Sequence, residues 1–219
     1  MSTSERNAYH HGDLKAALLR AAMASLEQGG AAAVSLREAA RQAGVSPTAA
    51  YRHFADKDAM LAALAAQGFD AFTDAMQAAA EAVQRAAGAA GEPFAEMGVA
   101  YVRFAVAHPG MFRLMFGPAV ADRSRSPELV ASLARSTRLF EQGMAARTDI
   151  TGDPRVEAVR AWALVHGLAM LVLDGMLPGL DAEGLARAVL GSPAPGTGGA
   201  EPQAAAQPAR RARAGARRA

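Results

Sequence analysis

Cysteine is absent from all 219 residues. That removes disulfide frameworks, cysteine zinc clusters and cysteine nucleophiles from consideration. No apolar run reaches the ~20 residues needed to span a bilayer. The longest, 161–173, is broken by His166. The N-terminus lacks the charged-then-apolar pattern of a secretory signal, so a soluble cytoplasmic protein with no membrane partner is expected. There is no G-x-S-x-G, no H-E-x-x-H and no phosphate-cradling glycine loop, which disfavours an enzyme. No cofactor is expected. His10 and His11 stand side by side without carboxylate or cysteine partners at ligand spacing, so no metal site is expected. Strand alternation and βαβ spacing are missing too. What remains is helical periodicity, and the expected fold class is all-α.

The most specific segment spans 35–57, SLREAARQAGVSPTAAYRHFADK. Ser35 and Glu38 form an S-x-x-E capping box, so a helix should begin at Leu36. Leu36, Ala39, Ala40 and Ala43 fall on one helical face. Gly44 follows as a left-handed stop, and Val45 supplies an apolar plug in the turn. Ser46 and Pro47 form an N-cap and N1 pair that restarts the chain as a second helix to about His53. Thr48, Ala49 and Ala50 are small enough for that helix to sink into a major groove with its N-terminus leading. Asp56 then caps a further helix with Lys57 in its first turn. Capping alone fits an ordinary αα-hairpin as well as a helix-turn-helix. Phe54 has the spacing of a core residue packed against the first helix, and His53 could be an ordinary surface histidine.

Val45, Ser46, Tyr51, His53, Phe54 and Lys57 stand in the register V-S-x-x-x-x-Y-x-H-F-x-x-K. In this the segment resembles the helix-turn-helix of the TetR/AcrR family of transcriptional regulators. The stretch 9–22, Y-H-H-G-D-L-K-x-A-L-L-x-A-A, is similar to that family's first helix. The resemblance implies that Tyr51, His53 and Lys57 contact DNA phosphates, while Ser46, Pro47, Thr48 and Arg37 lie at the DNA surface, the last three near base edges. Ala49 and Ala50 replace the glycine and larger aliphatic common there, which bears on the base contacts.

Charge is unevenly spread around a formal net of +2. Residues 1–57 carry seven Lys/Arg against five Asp/Glu, and residues 58–200 carry eleven against fifteen. The last nineteen residues carry five arginines against one glutamate. A positive N-terminal end and an acidic remainder suit a protein that meets phosphate at one end.

Further along, helices are expected over 13–28, ended by Gly29 and Gly30; from Asp56 through a long apolar-striped stretch; over 93–107; from Ser126; over 154–173; and from Asp181 to about 190. A short apolar piece covers 111–116, and 87–93 reads as a loop. Past Ser192 the composition is Pro, Gly, Ala, Gln and Arg, which cannot bury a core and should be disordered. This tail either adds nonspecific DNA affinity or reflects compositional drift. The expected organisation is a helix-turn-helix DNA-binding domain at 9–57, its onward link a fourth helix over 57–86. A regulatory and dimerisation domain follows at 58–191, and a disordered basic tail at 192–219.

Two later segments carry the same resemblance. His108 to Phe116 is similar to the H-P-x-x-[FY]-R-x-M-F segment of a TetR subclass, and Trp162, His166 and Gly167 match the W-x-x-x-H-G signature of its C-terminal domain. The helix 154–173 is apolar all round over its second half, as a helix buried on more than one side would be. Its stripe of Ala163, Gly167 and Met170 would admit a partner helix closely. The resemblance implies a homodimer built through the last two helices of each subunit. Two copies read a palindromic double-stranded DNA site, with recognition helices about 34–36 Å apart or at a related spacing.

Phe104, Met111, Phe112, Met115, Phe116, Leu133, Phe140, Trp162 and Met170 could line an apolar cavity with His166 as a polar group. The same Met and aromatic cluster also suits a plain core, and His166 a hydrogen-bonded core histidine. The leading expectation is a homodimeric, ligand-responsive DNA-binding regulator, a repressor released by an unidentified small-molecule effector. The competing one is a small-molecule-binding or protein-interaction module of the same fold without specific DNA reading.

Overall fold

A computed structural model describes residues 3–86, 92–148 and 150–191, with side chains described within 14–190. Among these residues all regular structure is helical, in agreement with the all-α expectation. The elements are α1 (Thr3–Ala33), α2 (Leu36–Gln42), α3 (Pro47–Tyr51), α4 (Lys57–Arg85), α5 (Pro93–Ala107), α6 (Pro109–Phe116), a 3₁₀ turn (Arg123–Arg125), α7 (Pro127–Ala145), α8 (Pro154–Leu173) and α9 (Ala182–Gly191). The expected loop 87–93 falls largely outside the described residues, as do the tail 192–219 and the His10–His11 side chains.

Local chemistry sets most boundaries. Asp56 Oδ1 accepts from the Ala59 N–H at 2.7 Å, and Ser126 Oγ from the Leu129 N–H at 3.3 Å. Asp153 Oδ1 accepts from the Arg155 N–H at 2.8 Å. Proline sits in the first turn of α5, α7 and α8, where its missing N–H costs nothing. Helix α1 starts ten residues earlier than expected, and its regular path breaks at Gly29 and Gly30, with Gly30 at φ 67. The Ser35 capping box does not form: Ser35 makes no side-chain cap bond. Glu38 instead accepts from Arg41 at 2.6 and 2.9 Å and from Gln42 at 2.7 Å. A charged donor one turn ahead outcompetes the neutral N–H behind.

One continuous apolar core runs from Leu18 and Leu26 through Phe54, Leu64 and Phe72 to Leu129 and Ala169. Helix α4 is its spine, packing on α1 at one end and on α5, α6 and α7 along its length. Helix α5 is the most enclosed, with Val99, Val102 and Ala105 buried between α4, α8 and α9. Arg103–Glu183 at 2.6 Å and Arg187–Glu96 at 2.7 Å tie α5 to α9. Such exposed pairs fix register more than they stabilise. Helix α8 is long and apolar enough to cross a membrane by length and composition, although the run within it is shorter. Only a minor share of it is buried, and it packs on α5 and α9.

Candidate nucleic-acid interface and its companion cavity

The turn between α2 and α3 is closed by a Schellman motif. The Val45 N–H donates to the Ala40 carbonyl at 2.9 Å, and the Gly44 N–H to that of Arg41 at 3.2 Å. Gly44 takes φ 70, which only glycine adopts without strain. Ser46 Oγ then accepts from the Ala49 N–H at 3.3 Å and opens α3. Ala39, Ala40, Ala50 and Phe54 are buried beneath. With so little bulk at Ala50, α3 lies close on its support and turns its other side outward. Pro47, Thr48, Tyr51 and Arg52 are exposed there, as are Ser46 and Arg37.

His53 and Lys57 are half-buried. Lys57 Nζ donates to the Ala32 carbonyl at 3.2 Å, so part of its hydrogen-bonding capacity is spent on the end of α1. Of the candidate DNA residues, Arg37, Ser46, Pro47, Thr48 and Tyr51 therefore present open side chains, while His53 and Lys57 sit deeper. Arg52 was not singled out by sequence; an exposed arginine following the tyrosine was the signal available.

A cavity of about 670 Å³ lies among α4, α5, α7 and α8, within the usual size range of small-molecule sites. Phe116, Leu133, Phe140, Trp162 and His166 line it, together with Phe69, Phe72, Phe94, Met97, Tyr101, Arg123, Ser136 and Thr137. Phe104, Met111, Phe112, Met115 and Met170 stand outside that lining. Met111 and Met115 press on α4, where a Cβ on Gly68 would meet their sulfurs at 2.5 and 2.8 Å. Phe112 is fully buried. The α4 and α5 contributors were missed, although Phe94, Met97 and Tyr101 recur on one face of α5.

The cavity's polar centre joins α5 to α8. The Tyr101 hydroxyl and His166 Nδ1 are 2.7 Å apart. Burial pushes the Tyr101 phenol well above its ordinary range, with Trp162 weakly opposing. Burial also lowers the His166 pKa, favouring neutral imidazole. A neutral phenol then donates to Nδ1. His166 Nε2 has no protein partner among the described residues and is not sealed from solvent.

Besides the exposed Lys15–Glu128 pair at 3.3 Å between α1 and α7, two connections join this cavity to the α1–α3 head among the described residues. One is α4 itself. The other is Glu27, whose carboxylate accepts from the Gly110 N–H at 3.0 Å and the Met111 N–H at 3.1 Å. It thereby caps the first turn of α6, whose last residue is the cavity-lining Phe116.

Residues 18–64 match the family model of bacterial regulatory proteins, tetR family, and residues 94–192 match that of the tetracyclin repressor-like C-terminal domain. A protein of unknown function from Rhodococcus sp. RHA1 is 36% identical, with a TM-score of 0.71 over 84% of this chain and 94% of its own. The TetR family transcriptional regulator PfmR from Thermus thermophilus shares the fold at 19% identity and TM-score 0.57, covering 80% of this chain and 94% of its own. So does a TetR family transcription regulator from Marinobacter aquaeolei VT8, at 19% and 0.55, covering 84% and 97%. No curated protein matches the chain. An exposed second helix on a Schellman-closed turn, with both halves matched in order, leads to one conclusion: the chain belongs to the TetR family and is a DNA-binding transcriptional regulator.

Proposed function

We propose that the protein is a homodimeric repressor released from a palindromic operator by a small-molecule effector. The observation that carries this reading is the shared frame: α4 and α6 both line or border the cavity and both end on the helices that position α3. A ligand that spreads α4 from α7 would tilt the head it is joined to. Effector and operator then oppose one another only to the extent that the effector binds the two head spacings with different affinity.

The head is residues 9–57, with Arg37, Ser46, Pro47, Thr48, Tyr51, His53 and Lys57 as its DNA set; residues 58–191 regulate and dimerise. Dimerisation is supported by α8, where Val156, Val159, Leu164 and Leu171 stay 45–63% exposed in the single chain. A Cβ placed on Gly167 meets nothing within 4 Å, which leaves room for a second helix. The effector is bound and released unchanged, and the protein works in the cytoplasm beside its operator.

Selection of bound sequences from random DNA with the purified full chain tests this. A palindrome with half-sites about one helical turn apart, or a related spacing, is the expected outcome. Enrichment of no sequence would sink the proposal.

A further inference from the structure

We propose that the cavity takes an apolar, ring-bearing molecule with a single carboxylate, which Arg123 holds. The inference rests on the effector reading above and names the chemistry of that ligand.

Arg123 belongs to the 3₁₀ turn ahead of α7, is half-buried, and lines the cavity. Among the described residues its guanidinium makes one bond, donating to the Gly117 carbonyl at 3.1 Å. No carboxylate lies within ion-pair distance of it among the described residues, and no Asp or Glu lines the cavity. Its neighbour Asp122 is occupied with Ser124, at 2.6 and 3.0 Å. By contrast Arg103, Arg113, Arg135 and Arg187 all have carboxylate partners.

Arg123 is thus a partly desolvated cation with most of its five donors uncommitted. Partial burial beside apolar walls makes such a charge costly to leave without an anion. A planar fork matches a carboxylate with two parallel N–H···O bonds. The Phe116 ring lies 5.0 Å from that of His166, and both, like Arg123, line the cavity. Aromatic rings on α4, α5, α7 and α8 surround the remaining volume and suit a ring-bearing body through edge-to-face contact. A cationic ligand would face Arg123 without any counter-charge. A neutral one would leave it unpaired.

The chain's single tryptophan, Trp162, lines the cavity and reports occupancy directly. The test measures quenching of its emission by 1-pyrenebutyrate and by the methyl ester of that probe, on the full chain. The carboxylate is expected to bind about tenfold tighter or more, the span of a charge-assisted hydrogen-bonded pair. Arg123→Met should abolish that preference, and Arg125→Met, on the same turn but outside the cavity, should keep it. Equal affinity for acid and ester overturns the inference without reference to any variant. Persistence of the preference in Arg123→Met, or no quenching by either probe, overturns it as well. Random-DNA selection without probe separates the two readings. Selective DNA binding without carboxylate preference defeats this inference alone, and carboxylate preference without selective DNA binding defeats the regulator reading alone.

Discussion

Lys57 illustrates how a residue suited to DNA can also serve the fold. Its ammonium holds the Ala32 carbonyl at 3.2 Å, yet two further N–H donors remain. If those reach phosphate, Lys57→Ala should weaken binding to every DNA sequence alike. It should also shallow the log affinity against log salt slope by about one unit, read by anisotropy titrations across salt. An unchanged slope would leave Lys57 only its α1 contact. His166 carries a different signature. Burial holds its folded pKa below the ordinary 6.5. As pH falls, the unfolded chain therefore binds the proton first. The stability owed to neutral His166 is complete above its unfolded value and declines as pH drops toward the folded one. Thermal unfolding between about pH 7 and pH 5 should show a steeper loss of Tm in the wild type than in His166→Gln. Equal losses would mean that the imidazole does not sense the change.

At the scale of elements, the contact between α1 and α6 is the most informative. Gly110 lies so close to α1 that an added Cβ would meet the Leu26 carbonyl oxygen at 2.7 Å and the Glu27 Cα at 3.0 Å. Backbone cannot step aside as a side chain can. Gly110→Ala should therefore displace α6 from the head, whereas Glu27→Ala should cost about 1 kcal/mol, the usual loss of a helix cap. Chemical denaturation checks both, and a neutral Gly110→Ala would contradict the packing. The starts of α5, α7 and α8 were readable in the sequence because a cap and a proline are chemistry within four residues. Gly44 and Phe54 were readable for the same local reason. The capping box at Ser35 was misjudged because Arg41 and Gln42 compete for Glu38, a contest that pattern alone does not decide. The cavity was readable only as a class of residues. Helical spacing told which face Met111 and Met115 share, but not that the face meets Gly68. The 3₁₀ turn that brings in Arg123 has no periodicity at all.

For the whole molecule, the exposed side of α8 is where the proposed dimerisation can be tested. Leu164→Asp with Leu171→Asp replaces two side chains that are 45% and 46% exposed in the single chain, so folding should survive. Sedimentation should then find a monomer in place of a dimer, with palindrome affinity lost alongside. A double variant that still sediments as a dimer would move the interface elsewhere. The Glu27 contact has a practical consequence at this scale. The reading head is not detachable at the point where its sequence motif ends after Lys57, because its first helix is stitched to α6, some eighty residues further on. A chimaera that carries this head onto a foreign body would need a glycine in the first turn of the receiving helix and a carboxylate facing it. Cut between the motif and the rest, head and body would lose both the continuity of α4 and the Glu27 cap on α6.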